Sequence, residues 1–247
     1  MNNKQYLRIA ALLFGALILV CLVYAISIPV APHTNVETIF IDKTDDFAKQ
    51  ATGAEVLLPI GLRDNSWQSV QLKICTFSDY DFTESKAFSL RGEVFMLGNP
   101  TGRKKEVDRF EKKIDGAIRA INSLPGGCTH SSIYAPFIRE LNRMASLQAY
   151  RKVAINYGDL FENTQIFSVY KKEDWLLLKT HPEKVKELLA QFGKPADFSG
   201  LKIYLVYKPE TDRDNEYYQL MSGFYKKLFE GAGAQVFIGA NLSVENN

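Results

Sequence analysis

Cysteine and histidine are scarce in this chain of 247 residues, which contains only three of each. Three cysteines are too few for a disulfide scaffold, and the absence of a cysteine and histidine cluster argues against zinc. Neither sign of charge dominates, because 30 basic and 28 acidic side chains leave a formal net charge of +2. This balance excludes a nucleic-acid binder that works through a strong overall positive field. We therefore expect no nucleic-acid partner.

The chain is nevertheless rich in apolar residues, and a hydrophobic fraction of 46% is too high for a disordered protein. No low-complexity tract and no repeat of fixed period is present. The length is sufficient for one sizeable core or for two small ones.

Residues 9–28 (IAALLFGALILVCLVYAISI) form a long apolar run. About 20 such residues cross the ~30 Å hydrocarbon layer as a helix, and positive charge beside the first apolar run tends to stay in the cytoplasm. Lys4 and Arg8 lie just before the run. We expect a cytoplasmic segment at 1–8, a transmembrane signal-anchor helix at 9–28, a linker at 29–35 and a domain at 36–247. That domain would lie on the periplasmic or extracellular side of the membrane.

Two other interpretations of this run remain open. Val23 and Ala25 are small enough for the −3 and −1 positions of a signal peptide that is cleaved after Ala25. Cleavage would also export the domain. A buried helix of a soluble protein is the third interpretation.

The rest of the chain alternates strand patterns with helix patterns. Apolar stripes at three- and four-residue steps predict the helices, and short β-branched or alternating runs predict the strands. A helix is also expected over 47–60, although Gly53 and Pro59 interrupt its pattern. Strands are predicted at 37–41, 69–77, 88–97, 153–157, 201–207 and 235–239, with a short extended piece at 165–170, and helices at 107–124, 132–144, 182–192 and 217–228.

Such alternation is typical of an α/β fold with a mostly parallel sheet and helices on both faces. Strands 69–77 and 88–97 are different, because a loop and no helix separates them. We therefore expect one antiparallel edge strand.

Polar side chains follow several of these elements. Open parallel sheets place ligands beyond the carboxyl ends of their strands. Asp42, Thr44 and Asp46 follow the first strand, and Asp159 follows the middle strand. Thr129 lies in a glycine-containing loop between two helices. These five residues would meet at one rim of the sheet if their strands are neighbours.

All five side chains offer oxygen, the donor that Mg²⁺, Ca²⁺ and Mn²⁺ prefer. Crowded carboxylates without a cation repel one another and take up protons. The sequence therefore predicts a divalent-cation site, with Mg²⁺ or Ca²⁺ as the cofactor. A simpler interpretation of the first segment is that Thr44, Asp45 or Asp46 caps a helix.

With these motifs the chain resembles the von Willebrand factor A family, also called integrin I-like. That family places Asp-x-Ser/Thr-x-Ser after the first strand, a Thr in a glycine-containing loop, and an Asp after the fourth strand. Asp42, Thr44, Thr129 and Asp159 match these positions, and the resemblance extends over 36–240. It implies a metal-ion-dependent adhesion site in a Rossmann-like sheet.

The sequence also departs from the family pattern. Asp46 replaces the second serine, and Gly158-Asp159-Leu160 replaces the usual Ser-Asp-Gly. In the family, the cation keeps a coordination position for a carboxylate on a partner protein. The resemblance thus implies a membrane-anchored, non-enzymatic domain for cation-dependent protein recognition or assembly, with an acidic side chain of a partner as its target.

Two alternative functions remain open. The first is a metal-free scaffold of the same fold. The second is a phosphatase, because Ile39-Phe-Ile-Asp42-Lys-Thr44 resembles the first motif of haloacid-dehalogenase-type enzymes, in which the Asp attacks phosphorus. The aspartate that normally follows that nucleophile two positions later is replaced by Thr44.

The basic segment 103–105 is expected to be a solvated turn, with a patch for a partner or lipid headgroup as the alternative.

Overall fold

The computed structural model describes residues 14–18, 33–43, 51–62, 66–77, 85–94, 98–123 and 131–242. Six strands lie within these ranges: β1 (Thr34–Asp42), β2 (Ser69–Phe77), β3 (Ser85–Leu90), β4 (Arg151–Tyr157), β5 (Leu201–Val206) and β6 (Gln235–Gly239). The helices are α1 (Gly53–Val56), α2 (Pro100–Asn122), α3 (Tyr134–Ser146), α4 (Lys172–Thr180), α5 (Pro182–Leu189) and α6 (Asp212–Glu230), and a 3₁₀ turn (Ala190–Phe192) follows α5.

The strands form one sheet in the order β3-β2-β1-β4-β5-β6. All neighbours are parallel except β2 and β3, so β3 is the antiparallel edge strand that the sequence predicted. In chain order, β2 and β3 extend the sheet on one side of β1, and β4, β5 and β6 then extend it on the other side. The carboxyl ends of β1 and β4 therefore mark the point where the strand order reverses. This is the position at which open α/β sheets place ligands.

Helices cover both faces of the sheet, as alternating apolar side chains on its strands require. One face packs against α1 and α2 through residues such as Val56, Phe110 and Ile114. The other packs against α3 to α6 through residues such as Phe137 and Tyr225. The mixed α/β architecture is thus as predicted.

The start of α2 follows from local chemistry. The side-chain oxygen of Asn99 accepts the backbone N–H groups of Thr101 and Gly102 at 3.0 and 3.1 Å, and Pro100 occupies the first helical position. The segment 99–102 is therefore a helix cap and first helical turn, and α2 begins before the helix predicted over 107–124.

A buried charge cluster places α3 over the sheet. The carboxylate of Glu140 accepts from Lys73 on β2 at 2.9 Å, from Arg143 at 2.6 Å and from the Thr38 hydroxyl on β1 at 2.9 Å. These contacts fix the helix relative to β1 and β2, and its amino end consequently lies at the rim.

Several predicted boundaries were wrong. β1 begins at Thr34, inside the predicted linker 29–35, and residues 91–94 leave the sheet although a strand was predicted to continue to 97. Within the predicted extended piece 165–170, only Ser168 pairs, in an isolated bridge with Asn163, and α4 was not predicted at all. In the predicted helix 47–60, residues 51–60 contain only the four-residue α1.

Only residues 14–18 of the predicted membrane helix lie within the described part of the chain, and they are helical. In the described ranges no helix combines the length and the apolar character that crossing a membrane requires.

Candidate functional site at the carboxyl ends of β1 and β4

Asp42 and Asp159 come together at the rim. Ile41 and Tyr157 are register partners in the parallel pair of β1 and β4, and Asp42 and Gly158 are the next residues along the two strands. Asp42 is 1% exposed and Asp159 is also buried. The structure therefore brings together the two members of the predicted ligand set that it describes.

Gly158 permits this close approach. A Cβ added at Gly158 would stand 3.2 Å from Oδ2 of Asp42 and closer still to its Cβ. Because glycine has no Cβ, it leaves room for the Asp42 side chain. The amide nitrogen of the buried Asn156 side chain donates to the Gly158 carbonyl at 3.2 Å and holds this turn.

The next residues form a tight loop. The carboxylate of Asp159 accepts the backbone N–H of Phe161 at 2.7 Å. Leu160 has a φ of 65°, which lies in the left-handed region that favours glycine. The turn after β4 therefore has a residue with a side chain in a backbone conformation that glycine adopts without steric cost.

Glu162 is a further carboxylate at this rim, to which the sequence analysis gave no role. It is 1% exposed, and its Oε2 accepts the backbone N–H groups of Ile133 and Tyr134 at 3.0 and 2.8 Å. It thereby satisfies two donors at the start of α3. Burial raises the pKa of Glu162 to about 7; the two backbone hydrogen bonds oppose this shift, and the negative charge of Asp42 adds to it.

Glu162 was missed because its role depends on a partner in another element. The only sequence signal was its position three residues after Asp159. Nothing in the local pattern indicates that the loop after β4 reaches the amino end of α3.

Backbone hydrogen bonds join the segment before α3 to the loop after β4, close to the Glu162 carboxylate. Ser131 and Asn163 exchange backbone hydrogen bonds of 3.2 and 2.8 Å in an isolated antiparallel bridge. The chain segment that carries Thr129 is thus joined, two residues further on, to the segment that carries Asp159.

Thr44, Asp46 and Thr129 lie outside the described residues. Within the described ranges, no group of three or more histidine, cysteine, aspartate or glutamate side chains is arranged to hold a metal ion. Asp42 and Asp159 supply the hard oxygen that Mg²⁺ and Ca²⁺ prefer, which fits part of the predicted shell.

A surface groove of about 960 Å³ lies elsewhere, between α5, the connection to β5 and the end of α6. Neither Asp42 nor Asp159 lines it. The rim, and not this groove, therefore combines the acidic side chains with the position where the strand order reverses.

Neither a protein-family model nor a curated protein sequence matches this chain. One similar solved structure is a point mutant of the PilB minor pilin from Streptococcus sanguinis, with a TM-score of 0.45 and 10% sequence identity. The alignment covers 86% of this chain and 58% of the pilin chain. Likeness at this level carries no statement about function.

Proposed function

We propose that this chain is a von Willebrand factor A-like domain that recognises a partner protein through a divalent cation at the rim. Asp42, Thr44 and Asp46 would hold one side of the cation and Thr129 and Asp159 the other. The domain would be held on the extracytoplasmic side of a membrane by the apolar run 9–28. The proposal includes no enzymatic activity.

The juxtaposition of Asp42 and Asp159 where the strand order reverses is the observation that carries this proposal. The two residues come from stretches of chain more than 100 positions apart, and a cation between such carboxylates offsets their repulsion. Burial is the main cause of the raised Glu162 pKa, and the negative charge of Asp42 adds to it, as expected where carboxylates lie close together.

The backbone of the β4 loop and the bridge at Ser131 add support. Leu160 follows Asp159 and has a left-handed backbone conformation. The family pattern has glycine at this position, and glycine adopts that conformation without steric cost. Thr129 is two residues from Ser131, and two residues of extended chain span at most about 7 Å. The length of the chain is therefore compatible with the role that the proposal gives Thr129.

A metal-free scaffold of the same fold is the second candidate. In this candidate the same rim would serve recognition without a bound ion. The two candidates differ in whether a divalent ion stabilises the folded chain.

Titration of the full chain with Mg²⁺, Ca²⁺ and Mn²⁺ tests the proposal by calorimetry and by thermal unfolding. A cation that binds only the folded state stabilises it by about 2.7 kcal/mol at 100 times Kd, so the melting temperature should rise. Asp42→Ala and Thr129→Ala should each abolish the binding heat and the rise in melting temperature.

Asp108→Ala is the matched control, because Asp108 is exposed on α2 and lies outside the proposed shell. It should keep both responses. Absence of heat and of any thermal shift with all three ions in the wild-type chain would refute the cation site and favour the scaffold. Turnover of an aryl phosphate that Asp42→Asn abolishes would instead support the phosphatase.

A further inference from the structure

An aromatic and cationic cluster lies where β1 and β4 begin, at the end of the sheet opposite the rim. The ring of His33, the residue before β1, stacks on the ring of Tyr150, with centroids 4.5 Å apart. The Arg151 guanidinium lies 5.7 Å from the centre of the same Tyr150 ring. The backbone N–H of Tyr150 donates to the Thr34 carbonyl at 2.8 Å, so the cluster is fixed to the start of β1.

The turn after α1 adjoins this cluster. Nη1 of Arg151 donates to the backbone carbonyl of Ile60 at 3.0 Å, which places the turn 58–61 beside the guanidinium. Leu58 in this turn is 45% exposed. We call His33, Leu58, Tyr150 and Arg151 the amino-end surface.

The amino-end surface is accessible and amphipathic. Tyr150 is 57% exposed, and His33 and Arg151 are exposed as well. Tyrosine is enriched at the boundary between membrane and water, where its ring meets apolar groups and its hydroxyl meets polar ones. An arginine beside it pairs well with lipid phosphate, because the guanidinium fork matches the phosphate oxygens.

The charge at this end of the sheet is positive when every carboxylate is counted. We consider the connections at this end, the first two residues of each parallel strand and the last two of β3. The described residues of these segments include five basic side chains and two acidic ones, an excess of three positive charges: Arg91, Arg151, Lys152, Lys194 and Lys202 against Glu93 and Asp197. Such an excess favours an anionic lipid surface within about 10 Å, the distance over which salt screens charge.

The length of the chain before β1 indicates what lies against this end. His33 is five residues after Ile28, the last residue of the apolar run 9–28. Five residues span at most about 18 Å, and the headgroup region is about 5–7 Å thick. With the run across the hydrocarbon layer, the amino-end surface is therefore tethered close to the headgroups. The rim is about 30 Å further away, because β1 has nine residues.

We propose that the amino-end surface rests on the anionic lipid headgroups of the membrane that holds the chain. The Tyr150 ring and Leu58 lie among the headgroups, and Arg151 pairs with lipid phosphate. The rim then faces away from the membrane, towards a partner. The inference rests on the proposed function in one respect, since it takes the run 9–28 as the membrane anchor.

The test measures how close each end of the sheet lies to the headgroups. The full chain carries Cys21→Ser and Cys128→Ser, retains the buried Cys75, and is labelled with a dye at Gln148→Cys. It is reconstituted into phosphatidylcholine–phosphatidylglycerol vesicles with and without a lipid that has a nitroxide on its headgroup. Gln148 is exposed two residues before Tyr150. We expect the nitroxide to quench this dye at least about twofold more than a dye at Lys208→Cys, which is at the rim.

Substitutions at the amino-end surface should reduce the quenching. Tyr150→Ala and Arg151→Gln should each lower it about twofold at position 148, as should vesicles of phosphatidylcholine alone. Tyr170→Ala and Arg213→Gln are the matched controls and should leave it unchanged, because both residues are exposed and follow β4 and β5 at the opposite end. The ratio of fluorescence without and with the nitroxide removes any direct effect of a substitution on the dye.

Extraction of the vesicles with alkaline carbonate separates this inference from the proposed function. A chain that is retained, but whose dye at 148 is quenched no more than the dye at 208 or equally in Tyr150→Ala and Arg151→Gln, overturns the inference and leaves the anchor. A chain that is extracted, but shows the expected quenching at neutral pH, supports the amino-end surface and contradicts the anchor. Extraction without quenching overturns both.

A second copy of the chain is the other occupant that the test detects. Disulfide-linked dimers of the unlabelled Gln148→Cys chain, together with no quenching by the headgroup nitroxide, would assign the amino-end surface to a contact between copies. That result would also overturn the inference.

Discussion

Leu160 combines a costly backbone conformation with a buried side chain. A φ of 65° costs a residue that has a Cβ about 1–2 kcal/mol, whereas burial of a leucine side chain stabilises a fold by about 2–3 kcal/mol. The side chain is completely buried in the core beneath α3 to α6. The packing of the Leu160 side chain thus offsets the strain of the turn after β4.

We therefore predict that glycine destabilises the fold less than alanine does at this position, which is the reverse of their order in a helix. Leu160→Ala and Leu160→Gly should both destabilise the chain, because both lose the buried side chain. Leu160→Gly should be the more stable of the two by about 1 kcal/mol, since glycine adopts a positive φ without steric cost. Urea unfolding of the two variants measures the difference.

Leu141 provides the comparison, because it is buried in the same core but lies within helix α3. There Leu141→Gly should be about 1 kcal/mol less stable than Leu141→Ala. The same order of the two substitutions at both positions would contradict the left-handed conformation at Leu160.

Among the elements, α2 is joined to the sheet by one buried side chain. The Arg103 guanidinium donates to the backbone carbonyls of Ser66 at 2.6 Å, Arg91 at 2.7 Å and Gln68 at 2.8 Å. Arg103 is 1% exposed. The expectation that it belongs to a solvated turn was wrong, while Lys104 and Lys105 are indeed exposed.

Loss of the three hydrogen bonds from Arg103 should lower the free energy of unfolding. Lys has a single ammonium and cannot reproduce the planar fork of donors, so Arg103→Lys leaves buried carbonyls without their donor. We expect a loss of about 3 kcal/mol in the free energy of unfolding. Lys104→Ala, one residue away on the exposed face of α2, should change it by less than about 0.5 kcal/mol. Equal effects of the two substitutions in chemical denaturation would show that Arg103 does not anchor the helix.

For the molecule as a whole, two buried carboxyl groups determine how stability varies with pH. Burial raises the pKa of Glu162 to about 7, and it raises the pKa of Glu37, in the middle of β1, well above its ordinary value. A group whose pKa is higher in the folded state holds its proton there and loses it more readily on unfolding. Its contribution is complete below the unfolded pKa, near 4.5, and is lost as the pH rises towards the folded pKa.

We therefore predict that the free energy of unfolding, measured in EDTA, falls between pH 5 and pH 8. Each group contributes about 1.4 kcal/mol per pH unit within its window. The contribution of Glu162 should end near pH 7, and that of Glu37 adds to the fall in the same direction. Urea unfolding at a series of pH values measures the slope.

Glu162→Gln retains an oxygen for the N–H groups of Ile133 and Tyr134 but has no proton to lose, so it should flatten the slope below pH 7. Glu37→Gln should also make the slope less steep, because its side chain has no proton to lose. Glu183→Gln, on the exposed surface of α5, is the control that should leave the slope unchanged. A wild-type chain whose stability is constant or rises from pH 5 to pH 8 would contradict the burial of these two groups as carboxylic acids.

The regular elements of this fold could be predicted from the chain alone. β2 and β6 occupy the residues that the alternating pattern indicated, because a buried strand shows its two faces in its sequence. Helix α4 was missed because only Leu178 of its nine residues is buried, so it lacks a complete apolar stripe.

The sequence by itself determined an α/β chain with an antiparallel edge strand and with aspartates after β1 and β4, because periodicity and turn chemistry are local properties. Only the tertiary structure decided that Asp42 lies against Gly158, that Glu162 satisfies the first turn of α3, and that Arg103 is buried beneath backbone carbonyls. Each of these facts depends on which strands are neighbours and on which loop reaches which helix. Those choices are made by packing between residues 12 to more than 100 positions apart, and no local pattern records them.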